Sequence, residues 1–340
     1  MKTQSISRSR LKAASAVALV SLAAIAATPA FAEDKAAILL PGSINDQSWN
    51  ALGYSIIQSL GTDGFETAYS ENVADADEAE ALRDYANQGY KIVLGHSGRF
   101  VSAMEDVAPD FPDTQFIAVS GNEGMDPNVM SIDYNNAQFG CQVGTLAALM
   151  SKNHKVGGIY GLQGVYNITA QAGGFRICAE KAGAEVTILY VKDMEDAAQA
   201  KEAALTMINQ GVDVLTGKLN AGEAGLVQAA KENNVYVTGR GFDQTAIAPD
   251  LVLTNIVEDW PKMIGSTADQ VKQGKLFGNY MMYGYDTEGT TGATLKYSED
   301  AEFNPIVPAD VVAKVNALAD DFKSGKLKLD PTEEDARSGS

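Results

Sequence analysis

Short apolar runs alternate with segments of helical periodicity along most of the chain. The first run, Ala36-Ala-Ile-Leu-Leu-Pro41, reads as a buried strand. Behind it Leu52, Ile56, Ile57 and Leu60 share one face of a helix. Further strands are predicted over 65–69, 91–95, 115–119 and 128–133, with helices over 75–88 and 99–108. A long apolar helix over 136–150 follows. The cycle then restarts, with strands over 155–160, 185–190, 212–216, 235–238 and 251–256. Helices at about 168–182, 196–210 and 221–233 separate them, and another runs over about 260–273. Strands over 280–283 and 293–297 and a helix over 308–322 complete the pattern. Strand interleaved with helix predicts an α/β fold with mostly parallel sheets. Its repetition on either side of residue 150 predicts two similar lobes. The first spans 33–137 with a return segment from about 257–290. The second spans 138–256 with part of 291–330. Residues 331–340 are polar and expected to be disordered.

The N-terminus changes the picture. Lys2, Arg8, Arg10 and Lys12 precede an apolar run from about Ala13 to Ala27, and Ala30-Phe31-Ala32 is a small-x-small cleavage site. Residues 1–32 read as a secretory signal, cleaved near Ala32, which places the mature protein in the periplasm. No Cys follows the run, so no lipid anchor is expected, and no later stretch approaches the roughly 20 apolar residues of a membrane span. The chain's net charge is −18, and the first 32 residues contribute four positive and no negative charges. The remainder is therefore more acidic still, which disfavours nucleic acid and anionic membranes as partners. A monomer is expected.

Cys141 and Cys178 both fall in helical patterns, and an oxidising compartment permits a disulfide between them. Two buried thiols are the other reading. With His96 and His154 as the only histidines and no CxxC, a structural zinc site is not expected, nor any cofactor.

In a parallel α/β sheet ligands bind beyond the carboxyl ends of the strands. The corresponding loops are 42–50, 95–99, 120–126 and 133–136 in the first half, and 161–167, 191–196, 217–223 and 239–244 in the second. They are rich in Gly, Asn, Asp and aromatics, which suit a small molecule held between two closing lobes. In the first loop, Asp46 and Asn50 either hydrogen-bond a ligand or cap the helix, and Trp49 either stacks on a ring or packs in the core. His96 and Ser97 are candidate rim residues for hydrogen-bonding a ligand. GxSxG, GxxxxGK[ST] and HExxH are absent, and no second histidine is placed to serve a triad. The chain does not read as an enzyme.

Several segments resemble one known family. They are Asp46…Trp49-Asn50; Phe139-Gly-Cys-Gln-Val-Gly-Thr-Leu-Ala-Ala148 followed by Lys155-Val-Gly-Gly-Ile159; and Gly211-Val-Asp-Val-Leu215, Ala229-Ala-Lys-Glu232, Gly239 with Asp243-Gln244, and Val252-Leu-Thr254 in that order. The chain resembles, over about 36–330, the basic membrane protein family of ABC-transporter substrate-binding proteins, whose best understood members bind purine nucleosides. The resemblance implies a type I periplasmic-binding fold, with two lobes joined by a multi-stranded hinge. It implies that Asp46 and Asn50 bond a base edge, that Trp49 stacks on it, and that Asp133 lines the cleft. Asp133 as a capping or hinge hydrogen-bond acceptor is the other reading. Tyr166 is the candidate second-lobe aromatic, and Asn220 a polar contact from the 217–223 loop. Two departures stand out. The family's Gly-Val-Asp-x-Asp-Gln, whose first Asp reaches ribose hydroxyls, is here Gly239-Arg-Gly-Phe-Asp-Gln244. A family Lys is here Glu258, followed by Asp259 and Trp260. Arg240, Asp243, Glu258 and Trp260 are candidate replacements. The expected function is a periplasmic receptor that passes a flat heterocycle, a purine nucleobase or nucleoside, to an inner-membrane ABC permease. The alternatives are a nucleoside hydrolase working through Asp46, Asp133 and Asp243, a sensor subunit that presents its ligand to a membrane receptor, and a different small polar ligand.

Overall fold

A computed structural model describes residues 34–46 and 48–340. The signal segment and its cleavage site lie outside the described residues. In chain order the first half comprises β1 (Lys35–Leu39), α1 (Trp49–Thr62), β2 (Glu66–Ser70), α2 (Glu78–Asn87), β3 (Ile92–Gly95), α3 (Val101–Val107), β4 (Gln115–Val119), β5 (Val129–Tyr134) and α4 (Asn136–Met150). The second comprises β6 (Lys155–Tyr160), α5 (Tyr166–Lys181), β7 (Glu185–Tyr190), α6 (Ala197–Asn209), β8 (Val214–Lys218), α7 (Glu223–Asn233), β9 (Tyr236–Gly241), β10 (Val252–Glu258), α8 (Trp260–Lys272), β11 (Tyr280–Tyr283), β12 (Ala293–Lys296) and α9 (Ala309–Lys323).

These strands form two six-stranded sheets. One runs β11-β5-β4-β3-β1-β2 and is wholly parallel. The other runs β12-β10-β9-β8-β6-β7, with only β12 antiparallel. Both faces of each sheet are covered, which is why the strands read as continuous apolar runs rather than alternating ones. In β1, Ala36 and Ile38 face a core that includes Ile56 and Leu60 of α1 and Met263 of α8. Ala37 and Leu39 face the other side, against Leu82 of α2 and Met104 of α3. In the second sheet Ile159, Leu215 and Val237 pack on α6 and α7, while α4, α5 and α9 cover the opposite face.

The chain passes between the sheets three times, at 134–136, 258–260 and 284–292. The crossings are hydrogen-bonded neighbours: Asn135 N–H donates to the Tyr283 carbonyl at 2.6 Å, and Asp259 N–H to that of Gly292 at 2.9 Å. Gly292 has φ +78°, and a Cβ there would lie 2.7 Å from that of Tyr134. A side chain would force the crossings apart.

Helices α4 and α5, which follow the last strand of the first half and the first of the second, pack backbone to backbone. A Cβ at Gly140 or Gly144 would overlap the carbonyl oxygen of Gln171 or Phe175 respectively. Within this contact Cys141 and Cys178 form a disulfide with a Cα–Cα distance of 4.9 Å. Residues 331–340, expected to be disordered, instead pack against α5 and β7. The buried Arg176 guanidinium draws them in, donating to the carbonyls of Asp335, Arg337 and Gly339, and Gly339 bridges to Ile188. A buried cation needs acceptors, and the tail's backbone supplies them.

Three strands outrun their apolar cores. β8 extends to Lys218, β9 to Gly241 and β10 to Glu258, each beyond the strand end expected from the sequence. The extra residues carry the polar groups described next.

Candidate functional site

A cavity of about 640 Å³ lies at the carboxyl ends of the strands. The segment after β1 lines it with Asp46, Trp49 and Leu52. The second sheet contributes Asn220 after β8, Arg240 and Gly241 at the end of β9, and Phe242 and Asp243 in the following loop. Gly241 has φ +75°, and a Cβ there would come 3.7 Å from Leu52, so the two walls meet at this point.

The first wall is rigid because its polar groups are spent on one another. The Asp46 carboxylate accepts from the backbone N–H groups of Ser48, Asn50 and Ala51 and from Asn50 Nδ2, at 2.8–3.0 Å. It caps the first turn of α1. Asn50 is buried, and its Oδ1 accepts from Gly42 N–H at 2.9 Å. Trp49 stacks on His96 with ring centroids 4.0 Å apart and meets Trp260 edge-on at 5.6 Å. Its indole N–H donates to the His96 carbonyl, and His96 Nε2 lies 2.7 Å from the Trp49 carbonyl. That distance fits Nε2–H as the donor, leaving Nδ1 as the acceptor. Burial pushes the His96 imidazole down to about 4, against the raising effect of that backbone bond. Neutral His96 is a brace behind Trp49. Ser97 accepts from Arg99 N–H and caps the turn after β3.

Behind the second wall lies a buried polar cluster. Arg240 Nη2 pairs with Glu258 Oε1 at 2.7 Å, and Nη1 donates to the Leu219 carbonyl at 2.8 Å. Glu258 also accepts from Tyr134 O–H at 3.0 Å and from Trp260 Nε1 at 2.8 Å. Lys218 Nζ donates to Tyr134 Oη at 3.0 Å and to Asn136 Oδ1 at 2.6 Å. Burial opposes the charge of Glu258, but Arg240 and Lys218 with these hydrogen bonds hold its carboxyl below the ordinary range. Burial and the nearby guanidinium push the Lys218 ammonium down. Glu223, in the first turn of α7, is buried with neither oxygen hydrogen-bonded among the described residues. Burial pushes its carboxyl up to about 8, against the pull of Arg240.

Asp133, at the end of β5, is buried away from the cavity lining. Its Oδ1 accepts from Tyr134 N–H at 2.7 Å and its Oδ2 from Ser120 Oγ and Asn167 Nδ2 at 3.2 and 3.3 Å. Burial raises its pKa. Asn167 belongs to α5, so this contact ties the two sheets together. Tyr166 is exposed and packs edge-on against Tyr280. The structure thus brings Asp46, Trp49, Asn220 and Asp243 to the cavity. It puts Asn50, His96, Glu258 and Trp260 behind the walls, and it leaves Ser97, Asp133 and Tyr166 elsewhere.

The family model described as ABC transporter substrate-binding protein PnrA-like matches residues 33–307. The chain belongs to this Bmp family. It is 26% identical over 297 residues to the transcriptional activator protein Med of Bacillus subtilis, covering 86% of this chain and 90% of that one. It is 29% identical over 211 residues to a purine-binding protein of Brucella abortus, covering 60% of this chain and 58% of that one. An ABC transporter solute-binding protein from Conexibacter woesei has the same fold, with a TM-score of 0.69 at 24% identity, covering 88% of this chain and 99% of that chain. Bmp-family proteins are solute-binding proteins that work outside the cytoplasm with a permease, and no described helix is long and apolar enough to cross a membrane.

Sequence reasoning missed Phe242, Lys218, Glu223 and Asn167 as named site residues. Phe242 was within reach, since its loop follows a strand and holds one aromatic. Tyr166 drew attention for the same reason, yet its ring turns to Tyr280.

Proposed function

We propose that the protein is the solute-binding component of an ABC importer and holds a purine base in the cavity between Trp49 and Phe242. The observation that carries this reading is the lining itself. One aromatic comes from each sheet, a buried guanidinium stands at one end, and rigid polar groups back both walls. The family and the purine-binding name of the Brucella relative support it. Residue 241 is a glycine and supplies no carboxylate, and Asp243, two residues on, already accepts from Thr245 N–H and Asn255 Nδ2 through its Oδ1, which favours a free base over a nucleoside. Hydrolysis has little to work with. Asp46 is saturated by four hydrogen bonds, and Asp243 Oδ1 accepts from Thr245 N–H and Asn255 Nδ2. The Bacillus relative is named a transcriptional activator, which gives a regulatory role as a second reading of the same cavity.

Thermal-shift screening of the mature protein against purines, pyrimidines, nucleosides and sugars tests the proposal. Ligand at 100 times its dissociation constant adds about 2.7 kcal/mol. Stabilisation by purine bases is expected. Stabilisation by sugars alone would remove the purine assignment, and release of free base from a nucleoside would restore the hydrolase.

A further inference from the structure

Arg240 is the only cationic side chain lining the cavity among the described residues, and it is held firmly. Of a guanidinium's five N–H bonds, one on Nη1 goes to the Leu219 carbonyl and one on Nη2 to Glu258, Nε–H is buried without a partner among the described residues, and one N–H on each Nη is left for a ligand. The group is 7% exposed, so it has lost most of its water. Beside it, Gly241 presents only backbone. This end of the cavity therefore offers hydrogen-bond donors on a rigid, planar, permanently charged group. Such a group is satisfied by adjacent acceptors in one plane. An oxopurine bound with its imidazole proton on N9 has them, at its 6-oxygen and N7. Adenine puts an amino donor beside N7 and meets the guanidinium with only one acceptor.

We propose that Arg240 makes the site selective for oxopurines over aminopurines. This rests on the purine reading above and deepens it. The selectivity is a difference between two ligands of equal size and stacking area, so Trp49 and Phe242 do not contribute to it. One bidentate pair against a mismatched one corresponds to about a 5- to 150-fold difference in affinity.

Calorimetric titration with hypoxanthine, xanthine and adenine tests this. The expected result is about 5- to 150-fold tighter binding of both oxopurines. Arg240→Lys keeps the charge but loses the planar fork, and should reduce the ratio to within about threefold. Arg240→Gln combined with Glu258→Gln removes both charges together, so that no buried carboxylate is left unpaired, and should do the same; a melting curve confirms that each variant is folded. Equal or tighter binding of adenine by the wild type overturns the proposal and leaves the purine reading standing. So does an undiminished preference in folded Arg240→Lys. Failure of every base to bind overturns both.

Discussion

Glu223 holds a proton that an exposed glutamate would release. Its carboxyl is buried without a side-chain hydrogen-bonding partner among the described residues, and the push from about 4.5 to about 8 comes first from desolvation. Below pH 4.5 the group is protonated in both folded and unfolded chains and does not affect the balance. Between 4.5 and 8 the unfolded chain loses the proton and the folded one keeps it. Stability from this group is therefore lost as pH rises, at a rate of at most about 1.4 kcal/mol per pH unit. Glu223→Gln keeps the shape of the neutral carboxyl and cannot ionise. Its melting temperature relative to wild type should rise steadily from pH 5 to pH 8. Parallel melting curves for the two proteins across that range would show that Glu223 is ionised in the native state. The neighbouring Arg240–Glu258 pair behaves differently, since each charge has the other. Removing one partner alone exposes the remaining charge to the full cost of burial, about 3–5 kcal/mol.

The pairing of α4 with α5 depends on what the residues lack. Gly140, Gly144 and Gly174 let the helix backbones touch, and the Cys141–Cys178 bond fixes that contact across 37 residues of chain. Closing a loop of that length removes about 4 kcal/mol of unfolded-state entropy, or roughly 6 °C of melting temperature for a chain of this size. Cys141→Ser with Cys178→Ser should lower the melting temperature by about that amount under non-reducing conditions. Added reductant should then move the wild type but not the variant. Much of this level was readable from sequence. The alternation of strands and helices, their order and the duplicated cycle all follow from apolar periodicity, which both-face burial makes strong. The strand ends were not readable. Apolar runs stop near Thr216, Thr238 and Ile256, whereas β8, β9 and β10 continue to Lys218, Gly241 and Glu258. Charged residues ordinarily mark where a strand reaches water. Here Arg240 and Glu258 stay buried because they pair across adjacent strands, and Lys218 because Tyr134 and Asn136 accept its hydrogen bonds, contacts between residues distant in sequence. The first wall was only half legible for a related reason. The spacing of Asp46 and Asn50 fits both a cap and a contact, and only the count of hydrogen bonds already made separates them.

At the scale of the whole molecule the two sheets are linked by the three crossings and by a polar contact outside them. Asn167 Nδ2, on α5, reaches Ser120 Oγ at 2.5 Å and Asp133 Oδ2 at 3.3 Å beyond the strands of the first sheet. Both acceptors belong to the sheet opposite its own, so any motion that separates the two sheets at this point breaks the contact. Such a bond stabilises the closed arrangement relative to an open one without touching the cavity lining. A ligand that binds the closed form then has less work to do, because its apparent affinity scales with the fraction already competent. Two hydrogen bonds, one to a carboxylate, are worth about 2–4.5 kcal/mol together. Asn167→Ala should therefore shift the closed-to-open ratio by about one and a half to three orders of magnitude. If the open form dominates in the variant, ligand affinity should fall by a similar factor, with the preference among ligands unchanged because Arg240, Trp49 and Phe242 are intact. Small-angle scattering of the ligand-free variant should show a larger radius of gyration than wild type, and saturating ligand should bring the two together. Unchanged scattering with unchanged affinity would mean that the crossings alone set the angle between the lobes. A lost preference with unchanged scattering would instead place Asn167 in the recognition of the ligand itself.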